Sequence, residues 1–220
     1  MTVRPPKLPR GARHRVERTR ERAQYDREAV YAILDEGFIA HVGFANGSQP
    51  FVIPMLYARI GDRVLLHGSV ASRLVNALAG GVECCVSVTH LDGLVLARSH
   101  FHHSVNYRSV VLFGKAMTVT DPGEKAAALT HFVDALLPGR SADSRPPDAA
   151  ESAATTVLSM EIVDASAKVR AGGPKDHPDD VGLPVWAGVL PLAVSRGAPI
   201  PAEDMADAPP LPDYLARRPT

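Results

Sequence analysis

The sequence predicts a mainly β (α+β) fold, in which antiparallel strands form a closed or nearly closed barrel and helices pack outside it. Two observations support this fold class. Six segments have strand-like composition, and turn signals separate several of them. Three further segments carry apolar residues at helical spacing, but strands and helices do not alternate as they would in a parallel sheet. The chain of 220 residues suits one such domain with arms.

Turn residues place the predicted strands along the chain. Asn46-Gly47 is typical of a two-residue hairpin turn, and Gly61-Asp62 predicts the next turn of the meander. Pro54 indicates an edge or bulge position, because proline has no N–H to donate to a neighbouring strand. The strands are predicted at 38–45, 50–60, 63–67, 83–91 with a continuation through 94–99, 106–120 with a break at Gly114, and 155–170.

Capping residues place the three predicted helices at 26–36, 72–79 and 121–137. Asp26 is expected to cap the first helix. Asp121, Pro122 and Glu124 give the third helix an N-cap, a proline at the first helical position and a capping box. Residues 140–153 are polar and lack periodicity, which predicts a mobile loop.

Composition divides the chain into three parts. Residues 1–24 are charged and lack an apolar period, which predicts a basic flexible arm, and residues 25–171 form the barrel domain. Ten of the residues from 171 to 220 are proline, so 172–220 is predicted to be a Pro-rich tail. The tail contains the apolar stretch 184–192, and we therefore expect it to wrap over the core.

Charge and cysteine content exclude several classes of protein. Lys+Arg and Asp+Glu both number 24, whereas a general nucleic-acid binder is usually basic. No apolar run reaches the length of a membrane span, and the first fifteen residues lack a secretory signal. The two cysteines, Cys84 and Cys85, are strand neighbours and cannot form a disulfide framework. We therefore expect a cytoplasmic protein that binds neither nucleic acid nor membrane.

The stretch "LLHGSVASRLVNAL", residues 65–78, predicts an anion site where a strand gives way to a helix. The first N–H groups of a helix have no intrahelical partner and favour anions. Ser69 and Ser72 add hydroxyl donors, and Arg73 adds a planar guanidinium suited to phosphate. The alternative is that Ser72 only caps the helix and Arg73 is solvated. The chain has no Walker, Rossmann, GxSxG, HExxH or CxxC motif.

The ordered motifs of the chain resemble a known family. They are "QPFVIP", "LHGSVASR", "DGLVLARSHFHHSVNYRSVVLFG", "SAKVRAGGP" and "WAGVLPL". In this order they are similar to the pyridoxamine 5'-phosphate oxidase-like FMN-binding split-barrel family, and within it to the flavin-nucleotide-binding proteins, over residues 18–195. The resemblance implies a six-stranded antiparallel split β-barrel with flanking helices, FMN as cofactor and a homodimer with FMN at its interface. The vitamin B6 oxidase itself is a poorer match, because its substrate-binding Arg-His pattern is missing near the C-terminus.

The same resemblance implies which residues bind the cofactor. Ser69, Ser72 and Arg73 would bind the FMN phosphate, and the strand with Pro54 would run beside the isoalloxazine ring. His67 matches a histidine near the cofactor of related nitroimidazole-resistance proteins. The strand with "NYRS" would reach FMN from the partner subunit. The implied cofactor-binding residues are Val52, Ile53, Pro54, His67, Ser69, Ser72, Arg73, Asn106, Tyr107, Arg108 and Ser109.

Three other features allow two interpretations each. Lys168 and Arg170 alternate on one strand face, and they either bind an acidic substrate or the FMN phosphate of a partner, or are solvated. Trp186 either lines the substrate side or anchors the tail. His100, His102 and His103 form a cluster in which His100 and His102 would share a strand face. It lacks a third ligand for a metal site, and haem is the alternative.

We therefore predict an FMN-binding flavoprotein that passes hydride or electrons between NAD(P)H and a small-molecule substrate. The alternatives are a non-catalytic flavin-binding protein and a split barrel that binds haem or the deazaflavin F420. No residue pattern identifies a catalytic acid or base. Fold does not imply function, so the sequence leaves the identity of the substrate open.

Overall fold

The computed structural model describes residues 7–8, 11–205 and 210–216. Ten strands lie within these residues: β1 (Ala23–Gln24), β2 (Ile39–Asn46), β3 (Gln49–Ile60), β4 (Arg63–Ser69), β5 (Glu83–Leu96), β6 (Ser104–Lys115), β7 (Met117–Thr118), β8 (Thr155–Glu161), β9 (Asp164–Arg170) and β10 (Gly188–Pro191). The α-helices of the same residues are α1 (Arg27–Glu36), α2 (Arg73–Ala79), α3 (Pro122–Leu136), α4 (Ala149–Ala154) and α5 (Asp213–Ala216).

The strands form one antiparallel sheet with the order β1-β9-β6-β5-β2-β3-β4-β8-β7, and β10 pairs with β5. The predicted mainly β fold with flanking helices is confirmed. The sheet has ten strands rather than six, partly because the predicted strand 155–170 is two strands, β8 and β9. The chain turns between them, and they pair at opposite ends of the sheet, β8 with β4 and β9 with β6.

The sheet is open, but its chain path brings its two ends together. β6 lies next to β5 and β9, whereas β7 pairs with β8 at the far edge. Only the buried residue Ala116 separates β6 from β7, so the break lies there and not at the predicted Gly114. The chain itself therefore links β6 to β7 at this point, whereas main-chain hydrogen bonds link neighbouring strands elsewhere in a barrel.

Two apolar clusters occupy the two sides of this sheet. Val30 and Leu34 of α1 pack with Val42, Leu66 and Leu112 in the larger cluster, and all of these side chains are buried. A second cluster lies between the sheet and α3 and contains Leu65, Phe132 and Val157. The position of α3 matters for the site, because it places an aromatic ring against the end of β4.

Helix capping agrees with the sequence only in part. Asp121 caps α3 by accepting a hydrogen bond from the Glu124 N–H at 2.7 Å, but the Glu124 carboxylate accepts from Arg63 instead of completing the capping box. Asp26 stands at the N-cap of α1 without a side-chain capping bond. The prediction of a loop at 140–153 is wrong at both ends of that segment. Arg140–Asp143 form a 3₁₀ turn, and the second end forms α4, which has a full capping box.

Segments outside the predicted barrel domain also contact it. Leu8 is buried, and its N–H donates to the Tyr25 carbonyl at 2.8 Å. Arg13 pairs with Glu83 at 2.6 Å, and the buried His14 contacts Asp164. In the tail, β10 lies beside the distal half of β5. The three-part division at residues 24 and 171 stays a prediction, as does the flexibility of the arm.

Candidate functional site

A split in the sheet forms beside the predicted anion site. β3 pairs with β4 only over residues 57–60, and the last pair is Tyr57 with Leu66. Beyond it, His67 to Ser69 continue along β8, while β3 continues along β2. Residues 51–56 of β3 therefore have a free edge towards this split, and unpaired edges offer N–H and C=O groups.

The predicted ring-contacting residues lie on this free stretch of β3. The Val52 side chain is 65% exposed, and Ile53 and Pro54 are exposed as well. Phe51, the residue before Val52, is half-buried and stacks on Phe44 with ring centroids 5.2 Å apart. An apolar, solvent-accessible strand edge of this kind suits a planar aromatic ligand that also needs main-chain hydrogen bonds.

Both predicted serines make local backbone hydrogen bonds at the start of α2. The Ser72 hydroxyl accepts from the Val75 N–H at 3.5 Å, and the Ser69 hydroxyl accepts from the Ala71 N–H at 3.2 Å. The capping interpretation is therefore correct for Ser72. It does not remove the anion interpretation, because each hydroxyl keeps its hydrogen for donation to a ligand.

Arg73 carries an unpaired charge next to these serines. It is exposed, and it forms no ion pair with any residue that the structure describes. Its guanidinium carbon lies 5.2 Å from the centroid of the Phe51 ring, in a cation–π contact. This contact directs the guanidinium from α2 towards β3, so that Ser69, Ser72 and Arg73 line one end of the split.

His67 lies two residues before this anion site and packs against α3. Its ring centroid is 4.3 Å from that of Phe132, and its Nδ1 is buried without a hydrogen-bond partner among the described residues. Burial lowers the pKa of His67, because the charged imidazolium loses its hydration. Burial therefore favours the neutral imidazole form of His67.

The "NYRS" residues are not part of this arrangement within one chain. They lie on β6, which β5 and β2 separate from β3. Asn106 is buried and accepts a hydrogen bond from Arg170. The Ser109 hydroxyl donates to the Lys168 carbonyl at 3.3 Å, and Tyr107 lies opposite Arg170 in the ladder. A contact between these residues and the split would require a second copy of the chain.

Arg108 is held between two carboxylates. It donates to Asp92 through Nε at 3.0 Å and Nη2 at 2.8 Å, and to the Glu36 carboxylate through Nη2 at 2.8 Å. These hydrogen bonds raise the pKa of Arg108 and lower the pKa of both Glu36 and Asp92. The charge of Arg108 is therefore already compensated. The sequence analysis missed Glu36 and Asp92, because the packing of α1 brings Glu36 close to Arg108 and the pairing of β5 with β6 brings Asp92 close to it.

Arg170 is buried, which contradicts the expectation that it could lie with Lys168 on a solvated face. Besides Asn106 it donates to the carbonyls of Gly172 at 3.2 Å and Gly173 at 3.1 Å. Burial lowers the pKa of Arg170. Lys168 is only half-buried. Arg170 thus orders the chain that leaves β9 and has few donors left for a substrate.

Trp186 lies in the tail and is 68% exposed. Its ring covers Gly188, where an added Cβ would lie 2.8 Å from the ring. Nearby, the sequence analysis missed the buried Asp176 carboxylate. It accepts from the Arg98 backbone N–H at 2.9 Å and from its guanidinium at 2.6 Å, and these bonds lower the pKa of Asp176. This pair fixes the tail to the end of β5.

The histidine cluster is a turn and not a strand. His100–His102 form a 3₁₀ helix, so the expected alternation of His100 and His102 on one strand face is wrong. His102 Nδ1 lies 2.8 Å from the Ser99 hydroxyl, and His103 Nδ1 lies 2.9 Å from the Ser99 carbonyl oxygen. Across residues 7–8, 11–205 and 210–216, no three His, Cys, Asp or Glu side chains are grouped to hold a metal ion.

Comparison with known proteins gives the class of the molecule. The open antiparallel sheet with flanking helices agrees with the split barrel that the sequence motifs imply. The sequence model of the pyridoxamine 5'-phosphate oxidase family matches residues 26–169, and the chain belongs to this family. No curated protein matches the chain.

Two solved structures are similar over most of the chain. The flavocytochrome Anf3 from Azotobacter vinelandii is 42% identical, with 97% of this chain and 99% of that chain covered and a TM-score of 0.90. The FAD and haem binding protein from Mycobacterium smegmatis is 38% identical, with 89% and 96% covered and a TM-score of 0.85. In the described part of this chain, no helix has the length and apolarity needed to cross a membrane.

Proposed function

We propose that the chain is a flavin-binding redox protein whose flavin phosphate binds at the end of the split. The unpaired Arg73 beside the Ser69 and Ser72 hydroxyls carries this proposal. A cation without a protein partner, next to hydroxyl donors and a helix start, attracts a phosphate. The free edge of β3 at Val52 to Pro54 then offers main-chain groups and apolar contacts to the ring.

FMN is the flavin that the motifs imply, whereas the similar mycobacterial structure is named for FAD. Both contain riboflavin 5'-phosphate, and the proposed phosphate contacts apply to either. A flavin supplies hydride and single-electron transfer when bound. We propose transfer between NAD(P)H and a small acceptor in a homodimer, where "NYRS" of a partner would approach the flavin. The alternatives are a non-catalytic flavin-binding protein and an F420-binding split barrel. Both would use the same residues as the flavin-binding redox protein proposed here.

Haem binding is the second proposed property. Both similar structures are named for haem or cytochrome in addition to flavin, at 42% and 38% identity. The chain carries nine histidines, and the buried Nδ1 of His67 has no hydrogen-bond partner among the described residues. In a chain with flavin and haem, the flavin would accept two electrons as hydride from a donor. It would then pass them singly to the haem, which accepts one electron at a time.

The absorbance spectrum of the purified protein tests both properties. Bands near 370 and 450 nm would identify flavin, and chromatography of the heat-released compound would separate FMN from FAD and F420. A Soret band would identify haem. Addition of NADH or NADPH without oxygen would then bleach the flavin bands of an oxidoreductase. A protein that neither contains flavin nor takes up added FMN or FAD would overturn the proposal.

The Arg73→Ala substitution tests the phosphate contact. We expect flavin binding to weaken by about 1.5–3 kcal/mol, because one charge-assisted hydrogen bond to phosphate is lost. Fluorescence titration of cofactor-free protein with FMN and with riboflavin measures it, and riboflavin affinity should not change.

Arg63→Ala is the matched control for this substitution, because Arg63 begins β4, at the end away from the predicted phosphate site, and pairs with Glu124 at 2.7 Å. Equal FMN affinities of the two folded variants would place the phosphate elsewhere.

A further inference from the structure

We infer that the outer face of β10, β5 and β6 binds haem, with His103 Nε2 as an axial ligand of the iron. This inference rests on the haem-binding part of the proposed function and assigns a site to it. The apolar face is formed by Leu94, Leu96, Val105, Leu190 and Trp186.

The register of three strands builds the apolar face. Leu94 is opposite Val105 on β6 and opposite Leu190 on β10, and residues directly opposite each other project from the same face. Leu190 is 52% exposed and Val105 is 37% exposed. Val95, the next residue of β5, is fully buried on the other face. The row of three side chains is therefore an outward-facing apolar surface rather than core.

The next row of the face contains an aromatic ring and ends at a histidine. Leu96 is opposite Gly188, and the Trp186 ring covers Gly188 on the same side as Leu96. His103 is the C-cap residue of the 3₁₀ turn and immediately precedes Ser104, which is opposite Val95 in the ladder, so it stands at the end of this face. Three adjacent strands span about 10 Å, which matches the width of a porphyrin ring.

The hydrogen bonding of His103 prepares it to bind iron. Its Nδ1 lies 2.9 Å from the Ser99 carbonyl oxygen, which can only accept, so Nδ1 carries the ring proton. The lone pair is then on Nε2, which has no hydrogen-bond partner and belongs to an exposed residue. A backbone carbonyl that fixes the tautomer and orientation of the ring is typical of ligating histidines.

Two further groups beside this histidine suit haem. Phe101 is 90% exposed in the same turn, and such an aromatic side chain can cover part of a porphyrin. Arg98 Nε is a buried donor without a partner in the described part of the chain, and a haem propionate is an acceptor that could complete it. Two other histidines fit less well: His14 has both ring nitrogens engaged, and Nδ1 of His67 is buried.

Haem titration of the full chain tests this assignment. Haemin is added to the cofactor-free protein, and the Soret band gives affinity and ligation. We expect His103→Ala to weaken haem binding about 100-fold or more, whereas His100→Ala, an exposed histidine of the same turn, should bind as the native chain does. Imidazole should restore the native Soret position in His103→Gly, a rescue that a purely structural role would not show.

A charge on the apolar face gives a second, independent readout. Leu190→Lys should weaken haem uptake about tenfold, whereas Val194→Lys, at a 98% exposed apolar residue, should not. Flavin uptake is measured in the same samples and should be unchanged. Sedimentation of each variant distinguishes this site from an interface between copies: a changed oligomeric state with unchanged haem affinity would overturn the inference.

Three further results would also overturn it, each in a different way. Equal haem affinity and Soret position in His103→Ala and the native chain would exclude His103. Loss of haem in His67→Ala alone would move the iron to the split. A native chain that takes up no haem would remove the haem part of the proposed function together with this site, while the flavin part would still be decided by flavin uptake.

Discussion

Arg73, Arg108 and Arg170 carry the same charge in three different surroundings. Arg73 has no counter-charge, Arg108 has two carboxylates, and Arg170 is buried among neutral oxygens. Only the first can gain a full charge-assisted contact from a phosphate without breaking an existing one. An anionic ligand is therefore expected to depend far more on Arg73 than on the other two.

The burial of His67 predicts how the stability of the protein depends on pH. Burial lowers the pKa of His67 below the value in the unfolded chain, about 6.5. The stability associated with neutral His67 is present above that unfolded pKa and is lost as the pH falls below it, because the unfolded state then binds the proton more tightly. His67→Leu should therefore gain stability relative to the native chain when the pH is lowered from 8 to 5.

Urea unfolding of the cofactor-free proteins at the two pH values measures this difference. His100→Ala, at an exposed histidine, should track the native chain at both pH values. If His67→Leu and the native chain differ by the same free energy at pH 5 and pH 8, then burial does not control the protonation of His67.

At the scale of elements, the junction of β4 and α2 depends on close packing. A Cβ added to Gly68 would lie 2.9 Å from Val75 Cγ2, and a branched side chain on a helix has little freedom to move away. Gly68→Ala should destabilise the protein by about 1–3 kcal/mol and shift α2, so FMN affinity should fall as well.

Gly43→Ala is the strand-glycine control for this prediction, since the nearest atom to its added Cβ is 3.7 Å away. Denaturant unfolding of both variants measures the effect, together with FMN titration. Equal stabilities of the two variants would show that β4 and α2 can move apart without a loss of unfolding free energy.

Elements with local signals could be predicted from the sequence. A two-residue turn joins β2 to β3 at Gly47-Ser48, one residue after the predicted Asn46-Gly47, and the Asp121 cap begins α3, because a few adjacent residues determine each of them. The separation of β8 from β9 was missed, since an apolar strand pattern does not say which strand it pairs with. The α4 helix was missed because its capping box lies in a polar segment.

The residues of the candidate site also fall into two groups, those that the local sequence determines and those that tertiary pairing brings together. Ser72 and the α2 start follow from consecutive residues and are where the sequence predicts them. The Glu36–Arg108–Asp92 ion pairs join residues from α1, β6 and β5, and the apolar face needs three strands in register. Contacts of this kind depend on tertiary pairing, which spacing along the chain does not contain.

At the scale of the whole molecule, the tail completes the sheet beside the barrel. β2 pairs with only the first part of β5, at 84–87, and β10 covers residues 93–96 of the same strand. The Arg98–Asp176 pair brings the tail to this position. Without β10, the distal half of β5 would present an unpaired, apolar edge to solvent, and such edges favour association between chains.

Truncation tests the contribution of the tail to stability. A chain that ends at Pro184 should lose about 2–4 kcal/mol of unfolding free energy, at roughly 1 kcal/mol for each main-chain hydrogen bond. It should also aggregate at lower concentration, measured by light scattering. A chain that ends at Met205 keeps β10 and loses the Tyr214–Asp143 hydrogen bond of 2.6 Å between exposed residues, so it should resemble the native chain. If both truncated chains match the native chain in stability and solubility, β10 is a surface attachment, and the sheet is complete without it.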